Sequence, residues 1–226
     1  MEALILAAIV LIVIGVDITI QYMNSKKKTV LESNSQLQEV FDEQTVRIPK
    51  GIYFDKTHTW AFMNRNGKVE VGINDFLQNI TGTPSRIEMK QTGDSVRKGD
   101  HLLTLVQDGK RLNIYSPVSG IVKASNEKLI NQPSLLNSAP YAEGWVYHIE
   151  PVNWFRETQF MLMADQTANW MKKEFSRLKD VLANAYAVNK LVPVMQDGGA
   201  LKSHLLENAE PEVWEEFQTN FIDTIK

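Results

Sequence analysis

A lysine standing directly after an Asp-Gly pair is the residue of this chain best placed for covalent chemistry. In "HLLTLVQDGKRLNIYSP", Asp108-Gly109 reads as a two-residue hairpin turn between two strand-like runs, and Lys110 follows it. A primary amine beside an exposed bend can be acylated and can hold the acyl group on a flexible stem. The plainer reading is a solvated surface lysine. Other chemistry is sparse. His58, His101, His148 and His204 do not pair at metal-ligand spacing, and there is no HExxH pattern. A nucleophile elbow, a phosphate-cradling loop and a dinucleotide fingerprint are all absent. Glu88, Glu127 and Glu143 are too scattered for an acid–base pair. With no cysteine, thiol catalysis, a disulfide framework and Cys-ligated metals are excluded. No catalytic residue and no metal site are therefore expected, and the chain is not expected to be an enzyme.

The elements that must position Lys110 are short strands. "HTWAFM" and "VEVGI" alternate around an "RNGK" turn, and Asn74 is placed to cap the helix "DFLQNI". "SRIEMK", the two arms of the Asp-Gly hairpin, "GIVKAS" and "GWVYHIEP" supply further strands, with "GDSVRKGD" as a turn-rich corner. "NEKLINQPSLLNSAPYAEG" reads as a long loop with a short helical piece. Many short strands with Gly and Pro punctuation predict a sandwich or flattened barrel. Beyond Trp154, Met171, Phe175, Leu178, Leu182 and Ala185 fall at helical spacing and predict an amphipathic helix. "KLVPVMQ" reads as an edge strand, and "EPEVWEEFQTNFIDTI" as a second helix with Pro211 in its first turn. Trp154, Trp170 and Trp214 either fill a small helical core or form a docking surface, since Trp is enriched at interface hot spots.

The amino-terminal stretch from Ala3 to Met23 is nearly all apolar and long enough to cross a hydrocarbon core of ~30 Å. Asp17 costs ~2.5–3.5 kcal/mol at mid-membrane, and the surrounding Leu, Ile and Val residues offset it at ~0.3–0.6 kcal/mol each. Lys26-Lys27-Lys28 follows, so the positive-inside rule puts the remainder in the cytoplasm. The expectation is a single-pass anchor in the inner or cytoplasmic membrane, with its amino terminus outside. Asp17 either sits near the interface or bonds to a neighbouring transmembrane helix. The segment "VLESNSQLQEVFDEQ" reads as a linker, with a short amphipathic helix in it. The expected organisation is an anchor over 1–25, a stalk over 26–50, a β-domain over 51–152 and a helical extension over 153–226. A net charge of −3 gives no sign of a nucleic-acid surface.

The blocks "FDKTHTWAF", "VGINDFLQNITG", "GDSVRKGD", "YSPVSGIV" and "NEKLINQPSLLNSAPYAEGWVYHIEP" resemble, in order and spacing, the H protein of the glycine cleavage system, a lipoyl carrier. The resemblance covers Tyr53 to Pro151. It implies a mainly β lipoyl/biotinyl-type hammerhead, a flattened barrel-sandwich, with the carrier lysine at the tip of a β-hairpin. Lys110 is the candidate for lipoate. The family places its lysine in a Glu-Ser-Val-Lys-Ala context. Here Gln107 stands in place of the acidic residue, and counting back from Tyr115 puts Gly109 on the lysine position. A one-residue shift along a strand turns a side chain to the other face.

Together these features predict a membrane-anchored, non-catalytic docking subunit of a larger membrane complex, not lipoylated and without a cofactor. Its partners would be the bilayer and other subunits, met through Asp17, Trp170 and Trp214, and not nucleic acid. The alternative is a tethered carrier with lipoate on Lys110, moving a group or electrons between lipoate-dependent partner enzymes.

Overall fold

The computed structural model describes residues 40–188 and 201–225. The apolar stretch Ala3–Met23, Asp17, most of the stalk and all of "KLVPVMQ" lie outside the described residues. No helix among the described residues is long and apolar enough to cross a membrane.

Two antiparallel sheets form the body. The larger contains β2 (Tyr53–Phe54), β3 (Thr59–Met63), β4 (Val69–Ile73), β6 (Ser95–Val96), β9 (Gly120–Ser125) and β10 (Tyr147–Pro151), in the spatial order β2-β3-β4-β10-β9-β6. The smaller contains β5 (Arg86–Met89), β7 (His101–Gln107) and β8 (Lys110–Tyr115), with β7 central. Inward residues of both sheets, among them Val69, Val71, Leu103, Leu105, Leu112, Ile114, Val122 and Ile149, are fully buried. This is the lipoyl-type β-sandwich, with apolar alternation on each strand turned into a common core.

The "RNGK" turn between β3 and β4 is longer than a two-residue Asn-Gly hairpin. Five residues connect the strands. Only Gly67 has positive φ (78°), and its N–H donates to the Asn64 carbonyl at 3.1 Å. The Asn64 carboxamide accepts from the Lys68 N–H at 2.9 Å and closes the longer loop. The strands then bring Gly72 under Trp60. A Cβ at Gly72 would lie 2.5 Å from the indole, so this position admits no side chain. The Trp60 indole N–H donates to the carbonyls of Ile73 and Pro140.

Helix α1 (Asp75–Thr81) starts where predicted, with the Asn74 carboxamide accepting from the Leu77 N–H at 3.0 Å. The long loop holds two short helices, α2 (Lys128–Asn131) and α3 (Leu135–Ser138). Beyond β10 comes a short helix, α4 (Trp154–Thr158), then the long helix α5 (Ala164–Val188). Met171, Phe175, Leu178, Leu182 and Ala185 are all buried, as their spacing predicts. Phe175 packs against Phe41 and Phe76 with ring centroids 4.7 and 5.0 Å away.

The sequence reading missed one pairing. Val40–Phe41, read as part of an amphipathic helix, is strand β1, paired with β11 (Leu201–Lys202). Phe41 is buried because the aromatic cluster of Phe76 and Phe175 has a place for it. The chain ends in α6 (Pro211–Phe217), a wider π-helical turn over Gln218–Ile222 and a 3-10 turn over Asp223–Ile225. Pro211 occupies the first turn, where its missing N–H costs nothing.

Candidate functional site

The hairpin β7–β8 carries the site. Its register pairs Gln107 with Lys110, leaving Asp108 and Gly109 as the turn. Both have positive φ (48° and 83°), the type I′ geometry whose twist matches the strands it joins. Lys110 is thus the first residue of the returning strand and not the tip. With a two-residue period it shares the face of the buried Leu112 and Ile114, while Arg111 and Asn113 face the other way.

At the strand end, the carboxy-terminal extension receives the Lys110 side chain. The half-buried amine donates to the backbone carbonyls of Glu207 (2.9 Å) and Ala209 (3.1 Å). It also lies 5.4 Å from the centroid of the Trp214 ring, within cation–π range. Trp214 is only 2% exposed, and its indole N–H donates to the Leu206 carbonyl at 2.7 Å. This bond braces the loop whose carbonyls hold the amine.

The extension continues along β8, the edge strand of its sheet. The Gln218 carboxamide accepts from the Asn113 N–H at 2.6 Å and donates back to the Asn113 carbonyl at 3.5 Å. The Tyr115 hydroxyl donates to Asp223 at 2.6 Å. Burial, with Asp223 beside it, pushes the Tyr115 phenol up to about 12. On the outward face of the hairpin, Arg111 pairs with Glu88 across the sheet, holding the exposed Glu88 carboxyl below its ordinary range through hydrogen bonding and charge. His101 bonds to Thr104 at 2.8 Å, and the Thr104 hydroxyl donates to Asn113.

A second cluster locks the extension to the β-domain. His58 is fully buried between the rings of Phe76 and Phe221, at centroid distances of 5.0 and 5.2 Å. Asn74 uses its carboxamide oxygen as the helix cap, so its amide faces His58 Nδ1 at 3.3 Å. That leaves the imidazole proton on Nε2, 3.4 Å from Glu174. Burial lowers the His58 pKa, so the ring is neutral at pH 7. Burial alone would raise the Glu174 carboxyl. The His58 imidazole 3.4 Å away and the Arg177 guanidinium, which donates to the carboxylate, outweigh burial and bring it to about 2.

The structure thus brings Lys110 and Trp214 together and places Trp170 with His58, at a centroid distance of 5.1 Å. Trp170 and Trp214 are both buried against this chain's own residues, so neither ring forms an exposed docking face. Trp154 is half-buried and meets Tyr53 edge-on. The sequence reading did not connect residues 204–210 with Lys110. No local period signals a contact between segments a hundred residues apart.

The family model described as glycine cleavage H-protein matches residues 52–175, more than half of the chain. The chain belongs to the glycine cleavage H-protein family. A probable glycine cleavage system H protein of Thermococcus kodakarensis is 34% identical over 126 residues, covering 56% of this chain and 93% of the relative. A glycine cleavage system H protein of Coprothermobacter proteolyticus is 36% identical over 105 residues, 46% of this chain and 83% of the relative. The crystal structure of a glycine cleavage system H protein from Mycobacterium marinum superposes with a TM-score of 0.50 at 21% identity, covering 55% of this chain and 99% of the other. That likeness concerns the fold. The family match runs past Pro151 into the first half of α5. Residues 201–225, which hold the Lys110 amine, lie outside it.

Proposed function

We propose that this H-protein-family chain is a tethered lipoyl carrier with Lys110 as its attachment residue. The observation that carries this reading is the placement of Lys110. It is the one lysine of the β7–β8 hairpin in an H-protein-family fold, directly beside the tip. Its amine is half-buried, and its hydrogen-bond partners are backbone carbonyls that side-chain rotation leaves behind. The site therefore fits lipoate once the side chain swings out. Bound there as an amide, the group would supply a dithiolane able to carry a substrate fragment or electrons. The chain's own residues fix where that arm starts. Asp108 and Gly109 set the turn, the Gln107–Lys110 pair sets the register, and the Arg111–Glu88 pair braces the outward face. A carrier, not a catalyst, fits these contacts. The apolar residues 3–23 support a membrane tether, which protease protection of membrane vesicles would test.

A specific observation favours a second reading, an unmodified docking subunit. Gly109 occupies the tip, and Lys110 points to the inward face with its amine engaged. Mass spectrometry of the intact protein, co-expressed with a lipoate ligase and supplied with lipoate, separates the two. A lipoyl-sized addition mapped to the Lys110 peptide, and lost in Lys110→Arg, supports the carrier. An unmodified Lys110 refutes it and leaves the docking subunit.

A further inference from the structure

We propose that the loop carrying Glu207 and Ala209 is a latch on the Lys110 amine, so that acylation of the lysine and seating in the latch exclude each other. This inference deepens the carrier reading and rests on it for its biological meaning, although the latch itself can be tested without it.

The geometry supplies the exclusion. The seated ammonium uses two of its N–H groups on two carbonyls and faces the Trp214 ring. Acylation by an activated carboxylic acid forms one C–N bond, expels the activating group, and releases protons from nitrogen. The resulting amide is neutral and keeps a single N–H. It cannot satisfy both carbonyls, it lacks the charge that attracts the ring, and its acyl chain needs the space those partners occupy. An acylated Lys110 therefore stays outside, and only a withdrawn Lys110 can be acylated.

The latch is braced from behind. The Leu206 carbonyl accepts from Trp214, the Leu206 N–H donates to the Ile80 carbonyl, and the His204 N–H donates to the Asn79 carbonyl. Val213, Trp214, Phe217 and Phe221 are buried. Release thus takes the form of lysine withdrawal, with the helix staying packed. The segment performing this task lies outside the family match, so the device is an addition by this chain to the H-protein fold.

The test is competitive acetylation of the folded full chain with a water-soluble acetyl succinimidyl ester, read lysine by lysine by peptide mass spectrometry. Two hydrogen bonds from a charged donor should slow Lys110 by about ten- to a hundredfold relative to the exposed Lys68 and Lys173. Trp214→Phe keeps a ring under the amine but removes the bond to Leu206. It should speed Lys110 severalfold and leave Lys68 unchanged. Should that variant fail to fold, hydrogen exchange of the wild-type amides over 204–210 is compared before and after Lys110 acetylation, and exchange should quicken after it. Wild-type Lys110 reacting as fast as Lys68, or loop exchange indifferent to acetylation, overturns the latch. A slow Lys110 that a lipoate ligase never modifies, even in Trp214→Phe, upholds the latch and overturns the carrier reading.

Discussion

Replacing Lys110 by methionine isolates the energy held in its amine contacts. Methionine keeps most of the apolar stem and removes the charge, two hydrogen bonds and the cation–π contact. Hydrogen bonds from a charged donor are worth ~1.5–3 kcal/mol each when buried. The amine is only half-buried, so solvent screening takes about half of that. The Trp214 contact adds ~0.5–1 kcal/mol. Part of the total returns, because the variant no longer has an ammonium to desolvate. The net loss is about 2 kcal/mol. For a chain of this size, that lowers the melting temperature by about 4–8 °C. Thermal unfolding of the full chain, followed by circular dichroism, reads this directly, with Lys110→Arg retaining most of the stability. A change below ~0.5 kcal/mol in Lys110→Met would refute the view that the extension is fastened through this amine.

Two other perturbations probe the body. Gly72→Ala drives a methyl group into the fully buried Trp60 indole and should cost about 3 kcal/mol, seen as a lower urea midpoint at unchanged slope. His58 has a lowered folded pKa, so below its ordinary value of 6.5 the unfolded chain binds the extra proton. Stability should therefore fall as pH drops from about 6.5, by at most ~1.4 kcal/mol per pH unit from this group. His101, also lowered by burial, adds to the slope. Melting temperatures of wild type and His58→Gln between pH 7.5 and 5 check this, and equal slopes would contradict it.

The β-sandwich was legible because its signals are local. Alternation in "VEVGI" and "RLNIY" marks strands, Asn74 marks a cap, and the Asp-Gly pair marks the I′ turn, all within a few residues. The spacing of Met171, Phe175, Leu178 and Leu182 likewise settles which face of α5 is buried. The site was only half legible. The register at the hairpin tip follows from counting, and the inward turn of Lys110 follows from the register. What receives the amine does not, because Glu207 and Ala209 act through backbone carbonyls, which carry no residue-type signature. Phe41 was misread for a related reason. A two-residue strand paired with a partner 160 residues away has too little length to show a period.

The Gln218 contact has a consequence for solubility. An amide side chain stands in for a neighbouring peptide group at the rim of the smaller sheet, so hydrogen-bonding capacity there is met by a single carboxamide. A version of the protein cut before this residue would present an unfilled rung, ready to template pairing with another molecule. The turns over Gln218–Ile225 thus cover one rung of an open sheet edge as well as serving the hairpin.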